Sequence, residues 1–136
     1  AALPDTVERA MILPVDVPLV RSGTFAKVAE RAEKEQALVL RPTFRGKSGH
    51  PPVIGRPLFA EILAASPEMT LRDILDRHQT QAQDVSVIDS GILRDMDYVD
   101  DYRRLVEALV HRGQPDEAEC EEVLGRLVAV ARDALG

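Results

Sequence analysis

Arg45-Gly46-Lys47-Ser48-Gly49-His50-Pro51-Pro52-Val53-Ile54-Gly55-Arg56 is the most informative run in this chain. It gathers three glycines, two prolines, three fixed cations and one of the chain's three histidines. Glycine lets the backbone reach positive φ or approach a neighbour closely, and proline removes a donor and stiffens the backbone around it. The run therefore reads as a shaped loop, not a helix interior or a central strand. Exposed amides beside Arg45, Lys47 and His50 suit an anion such as phosphate, the alternative being a plain basic surface loop.

Upstream of this loop, a strand is expected over Arg9 to Val15, within which Ala10-Met11-Ile12-Leu13 is a short continuous apolar run. Such a run suits a strand buried on both faces of a parallel sheet. Pro14 and Pro18 bracket its end and put Asp16 at the strand's C-terminal edge, where open α/β sheets bind ligands. A carboxylate there is either a metal ligand or a turn and capping residue. Ser22 reads as the N-cap of a helix through Phe25, Val28, Ala29 and Ala32. Ala37-Leu38-Val39-Leu40 is the next strand, ended by Arg41-Pro42, so the Gly-rich loop comes after a strand end on the same edge as Asp16.

Downstream, Pro57 fits the first turn of a helix that buries Leu58, Ile62 and Leu63. Thr70 and Asp73 form a capping-box pair for a short helix over Leu71, Ile74 and Leu75. His78, near its end, reads as a favourable end charge. Asp84 to Ile88 alternates as a strand, and Ser90-Gly91 turns the chain into Ile92-Leu93. Asp95 and Asp97 precede a helix expected to bury Tyr102, Leu105, Val106 and Leu109. Arg112-Gly113-Gln114-Pro115 is a helix stop and restart. A last helix comes next, with acids in its first turns, an apolar stripe from Val123 to Leu135, and Cys120 at the edge of that stripe.

Three of these stretches together resemble the MobA-like NTP transferases, and among them most nearly the molybdenum cofactor cytidylyltransferases. The Gly46–Arg56 segment is similar to the family's G-[RK]-x-G-H-P-x-x-x-x-R. Ile12-Leu13-Pro14-Val15-Asp16-Val17-Pro18-Leu19-Val20 is similar to its apolar strand ending in P-V-D-x-P. Gly91-Ile92-Leu93-Arg94-Asp95-Met96-Asp97-Tyr98-Val99-Asp100-Asp101-Tyr102 is similar to its G-I-x-x-D-I-D-T-P-E-D-Y. The resemblance covers roughly residues 10–110, in the family's order. Arg72 matches a family arginine, or is simply an exposed helical cation. Tyr98-Val99 replaces the family's Thr-Pro, which leaves Asp97 open to two readings, metal ligand or helix cap. Nothing matches the family's N-terminal Gly-rich nucleotide loop, and the chain opens on Ala1, so the resemblance implies the C-terminal portion of a longer protein.

The fold implied is α/β: a partial Rossmann-like nucleotidyltransferase sheet in a three-layer α/β/α arrangement, with C-terminal helices. Residues 1–112 would form the transferase part, and 113–136 a C-terminal helix or a linker to a further domain. The implied chemistry is transfer of a nucleotide, CMP from CTP, to a phosphorylated pterin (molybdopterin), with release of pyrophosphate. Asp16 and Asp97 would hold Mg²⁺ as the catalytic pair, and Lys47, Gly49, His50, Pro51 and Asp95 would bind substrate. Implied partners are the nucleotide and the pterin, together with a molybdoenzyme or the missing N-terminal half. The other function class is a catalytically incomplete binding or oligomerisation piece, prone to self-association.

Composition bounds these readings. The 136 residues suffice for one domain with a core. Seventeen Lys and Arg against twenty-three Asp and Glu give a net charge of −6, which argues against general nucleic-acid binding. A single cysteine permits no internal disulfide and fits a reducing cytoplasm. No apolar run approaches the roughly 20 residues of a membrane span. No Ser/His/Asp triad or zinc spacing competes.

Overall fold

The computed structural model describes residues 3–111 and 121. Five strands, β1 (Arg9–Met11), β2 (Val39–Phe44), β3 (Lys47–Ser48), β4 (Val53–Gly55) and β5 (Ala82–Ser86), join in one mixed sheet. The helices are α1 (Ser22–Glu35), α2 (Pro57–Ala64), α3 (Leu71–Arg77) and α4 (Val99–Val110).

β2 is the strand on which the sheet is built. Along one edge it pairs antiparallel with β4 through Val39 and Leu40, and with β3 through Thr43 and Phe44. Along the other it pairs parallel with β5, from Val39 against Ala82 to Thr43 against Ser86. Side chains alternate across a strand, so the paired residues sort by face. Val39 and Ile54, opposite one another, pack with Leu58 of α2 and with Leu75 of α3. Leu40 and Val53, the next pair, pack with Val28 and Ala32 of α1. Helices thus cover both faces, and the architecture is three-layer α/β/α.

Several local expectations need correction, among them the strand expected from Asp84 to Ile88, which is observed as Ala82–Ser86. β1 is three residues long and half-buried, and it pairs antiparallel with β4 instead of lying inside a parallel sheet. β2 does not stop at Arg41-Pro42 but runs on to Phe44. The N and O of one strand residue point to the same side, and the Pro42 carbonyl accepts from Gly49 N–H at 2.9 Å. Pro42's missing donor therefore faces away from β5, and the parallel ladder is not interrupted. The Arg45–Arg56 run is also more regular than a loop. Arg45 (φ 51°) and Gly46 (φ 76°) make a two-residue hairpin turn, and Val53–Gly55 is a buried strand between β1 and β2. Lastly, Ser22 does not cap α1; it is the first helical residue, and Arg21 stands at the cap without a side-chain cap bond.

Elsewhere the local signals hold with adjustments. Pro57 is at the start of α2, which buries Leu58, half-buries Ile62 and leaves Leu63 86% exposed. Phe25 is half-buried and Ala29 exposed on α1. Thr70 and Asp73 form a full capping box on α3, and Ile74 is the residue buried there. His78 Nε2 meets Glu61 Oε2 at 2.7 Å, tying α3's end to α2. That hydrogen bond, with the charge of His78 and then Arg77 beside it, holds the Glu61 carboxyl below its ordinary range. α4 does not bury the face expected of it: Tyr102 is 56% and Val106 40% exposed, and Leu105 is half-buried. The Leu109 side chain, the boundary at residue 112, Cys120 and the last helix lie outside the described residues. Among the described residues no helix is long and apolar enough to cross a membrane.

Candidate functional site

The three stretches singled out in the sequence meet at one short element, the 3-10 turn Ser90–Leu93 that comes after β5. The Ile92 carbonyl accepts from His50 N–H at 2.9 Å. Gly49 lies so close to the same carbonyl that an added Cβ would collide with its oxygen and come within 2.8 Å of its carbon. On the other side of the turn, a Cβ on Gly91 would collide with the Leu19 carbonyl. Both glycines are therefore required by close backbone approach and not by left-handed φ. Val17 and Val20 carry the Asp16 loop into a buried cluster with Phe44, Val87 and Ile92. The Pro-Val-Asp-x-Pro loop, the Gly-His-Pro loop and the Gly-Ile segment are packed on one another at the end of the β2–β5 pair.

A residue not anticipated from the sequence pins this junction. Asp89 is 2% exposed. Its Oδ2 accepts from Arg21 N–H at 2.9 Å and from the Thr24 hydroxyl at 2.5 Å, and its Oδ1 accepts from Gly91 N–H at 3.0 Å. A buried carboxylate is costly without such partners, and each hydrogen bond to a charged group contributes about 1.5–3 kcal/mol. The Arg21 bond also pairs the backbone N–H of the residue that stands at the cap of α1. One local signal is present: Asp-Ser-Gly is an Asx turn in which the carboxylate bonds the backbone two residues on. The partners 65 and 68 positions away leave no trace in the sequence.

The candidate site residues fall into two groups. Asp16 is half-buried, and its Oδ1 is enclosed without a hydrogen-bond partner. His50 is half-buried with Nδ1 likewise enclosed and unpartnered, and Pro51, joined to it by a cis peptide, is fully buried. Lys47 is exposed on β3, beside the hairpin turn. Asp95 lines a cavity of about 470 Å³ together with Leu19, Leu93, Arg94, Asp101 and Arg104, so it stands next to the Asp16 loop. Asp97 is exposed and not among the residues lining that cavity. Nor does it cap α4. Tyr98 precedes the helix; its carbonyl accepts from Asp101 and Tyr102 N–H, and its own N–H donates to Asp101 Oδ2 at 2.9 Å. Arg72 is exposed on α3.

Among the described residues no three His, Cys, Asp or Glu side chains gather as a metal-holding group. Mg²⁺ does not require one, because it takes one or two carboxylates and fills its shell with phosphate oxygens and water. An enclosed carboxylate oxygen with no hydrogen-bond donor of its own, as on Asp16, is a hard oxygen ligand that a cation could use. The residues fit such an ion.

Comparisons with known proteins agree with the fold. The chain superimposes on the crystal structure of a Mycobacterium tuberculosis Rv0371c homologue from Mycobacterium sp. strain JC1 with a TM-score of 0.68 and 19% identity, over 80% of this chain and 54% of that one. Rv0371c from Mycobacterium tuberculosis H37Rv gives a TM-score of 0.66 and 20% identity, over 77% and 54%. The fold is shared, and this chain spans about half the length of either structure. No curated protein matches it. The profile of the MobA-like NTP transferase domain matches residues 1–82, which takes in the Asp16 loop and the Gly-His-Pro loop and stops short of Asp89. The chain belongs to the MobA-like NTP transferase family.

Proposed function

We propose that the protein is a nucleotidyltransferase of the molybdenum cofactor type and that this chain carries the acceptor side of its active site. The observation that carries the reading is the convergence on one 3-10 turn of the Asp16 loop, with its orphaned carboxylate oxygen, and of the Gly49–His50 loop. In the reaction, a phosphate oxygen of the acceptor attacks the α-phosphorus of a nucleoside triphosphate. The bond from that phosphorus to the bridging oxygen breaks, and pyrophosphate leaves. The attacking phosphate is already ionised near pH 7, so no general base is required; alignment and charge neutralisation are. Gly49 and His50 form the wall against which the acceptor phosphate is held, buried Pro51 backs them, Lys47 adds positive charge at its mouth, and Asp95 orients the acceptor from the adjoining cavity. Asp16, with Asp97 as its partner, would hold Mg²⁺, which when bound offsets the negative charge of the phosphates. CTP and a phosphorylated pterin are the substrates favoured by the resemblance of the three motifs.

The test uses the intact protein, each of the four nucleoside triphosphates and molybdopterin, with pyrophosphate release as the readout. CTP is expected to give the highest rate. Asp16→Asn should lower it by orders of magnitude at near-wild-type melting, because asparagine keeps an oxygen but not the charge that Mg²⁺ requires. His50→Ala should raise the acceptor KM. Absence of nucleotide-dependent pyrophosphate release from the intact protein would remove the proposal.

A further inference from the structure

We infer that Asp89 is a positioning residue for this site: its carboxylate sets where the Asp16 loop lies relative to the Gly49–His50 loop. The inference rests on the reading of Asp16 as a metal ligand.

The connection can be traced atom by atom. Asp89 Oδ2 receives Arg21 N–H and the Thr24 hydroxyl, which fixes the chain leaving the Asp16 loop. Oδ1 receives Gly91 N–H, which fixes the 3-10 turn. Ile92, the next residue of that turn, accepts from His50 N–H. There is no slack in this sequence of contacts, since neither Gly49 nor Gly91 has room for a single added carbon. A movement at Asp89 must therefore reappear in one loop or the other. Two of the three enclosed, unpartnered side-chain atoms among the described residues, Asp16 Oδ1 and His50 Nδ1, belong to the two loops joined in this way; the third, Arg9 Nε, is on β1.

Chemistry also selects the residue. Arg21 N–H, the Thr24 hydroxyl and Gly91 N–H all donate to the carboxylate, so the position calls for an acceptor at both oxygens. An amide would set an N–H₂ against at least one backbone N–H. Apolar packing of Val17, Val20 and Ile92 brings the segments together without fixing their register, because it has no direction. The carboxylate supplies the direction.

The experiment uses the intact protein, with Mn²⁺ alone as the probe and NMR of the amide and imidazole signals as the readout. Thr24→Val removes one hydrogen bond at nearly constant shape, and Asp89→Asn removes more. In a folded Thr24→Val protein the Leu19, Gly49 and His50 signals should shift, and apparent Mn²⁺ affinity should fall roughly tenfold, the low end of what loss of a group bonded directly to a metal ligand costs, because Thr24 acts on the Asp16 loop through Asp89. Thr24→Ser should restore both, and Thr70→Ala, which weakens the fold away from the site, should move neither. Unmoved His50 and Gly49 signals in Thr24→Val would overturn the proposal, and so would loss of the fold in that variant, which would make Asp89 a stability element only. If Mn²⁺ broadens no signal near Asp16 in the wild type, the metal reading falls, and the inferred role of Asp89 in positioning the site falls with it.

Discussion

The two ends of this molecule are held together in different ways. Around the 3-10 turn Ser90–Leu93, contacts join residues far apart in the chain: Arg21 and Thr24 to Asp89, Leu19 to Gly91, and Gly49 and His50 to Ile92. Elsewhere, α2 and α3 are organised by neighbours. Pro57 starts one helix, the Thr70–Asp73 box starts the other, and Glu61 reaches Arg77 and His78 only 16 and 17 positions on. The first region is dense backbone against backbone and has no tolerance for added atoms. The second adds, to the packing of Leu58 and Leu75 on the sheet, a set of local, partly solvated polar contacts, each replaceable at modest cost. The candidate site lies where the packing is least forgiving.

Two glycine substitutions put this contrast at risk. Gly49→Ala must push a Cβ into the Ile92 carbonyl, a backbone group that cannot turn aside. We expect a loss of about 3 kcal/mol, the upper part of the range for overpacked positions. Gly23 is in the first turn of α1, and nothing lies within 4 Å of an added Cβ there. Gly23→Ala should instead stabilise by about 0.5–1 kcal/mol through helix propensity. Denaturant midpoints at unchanged m-value measure both. A Gly49→Ala protein within about 0.5 kcal/mol of wild type would mean that the two loops are not in register.

A smaller effect is expected at the α2–α3 pair. Thr70→Ala removes the side chain that accepts from Asp73 N–H and donates to its carboxylate. The cost should be about 1 kcal/mol, and Thr70→Asn should recover most of it. Pyrophosphate release at saturating substrate should be unchanged, because α3 rests mainly on α2 and on the Gln79–Gln81 turn that leads into β5. A fall in turnover out of proportion to the fall in stability would couple the two regions and erase the distinction between them.

Legibility in the sequence divides along the same line. The capping box, the proline at the start of α2 and the apolar character of Val39 and Leu40 are legible, because each depends on residues a few positions apart. Pro42 reads as a strand end, since whether a proline interrupts a ladder depends on which edge its nitrogen faces. Val53–Gly55 reads as part of a loop, as the proline and glycine before it outweigh three residues of strand. The glycines of the Gly-His-Pro and Gly-Ile segments stand out by type, whereas their reason, contact with Ile92 and Leu19, comes only from the fold. Asp89 reads like any turn aspartate. Burial and a partner on α1 distinguish it, and neither is a property of nearby residues.

The smallest expected effect concerns Glu61, where pH is the variable. Its carboxyl is held below the ordinary range, first by the hydrogen bond with His78, then by the charges of His78 and Arg77. A carboxyl whose folded value is depressed binds its proton less readily in the native state than in the unfolded chain. Its contribution is therefore fully present above the unfolded value and is lost as pH falls through the lower folded one. Glu61→Gln should be slightly less stable than wild type at neutral pH, and the gap should close on acidification through that window. Because the pair is solvated, high salt at neutral pH should narrow the gap as well. Melting curves of the two proteins from neutral to acidic pH give the difference directly. A gap that stays constant through the acid range would show that Glu61 acts by packing between α2 and α3, and that local polar contacts hold this pair of helices less than the contrast with the 3-10 turn requires.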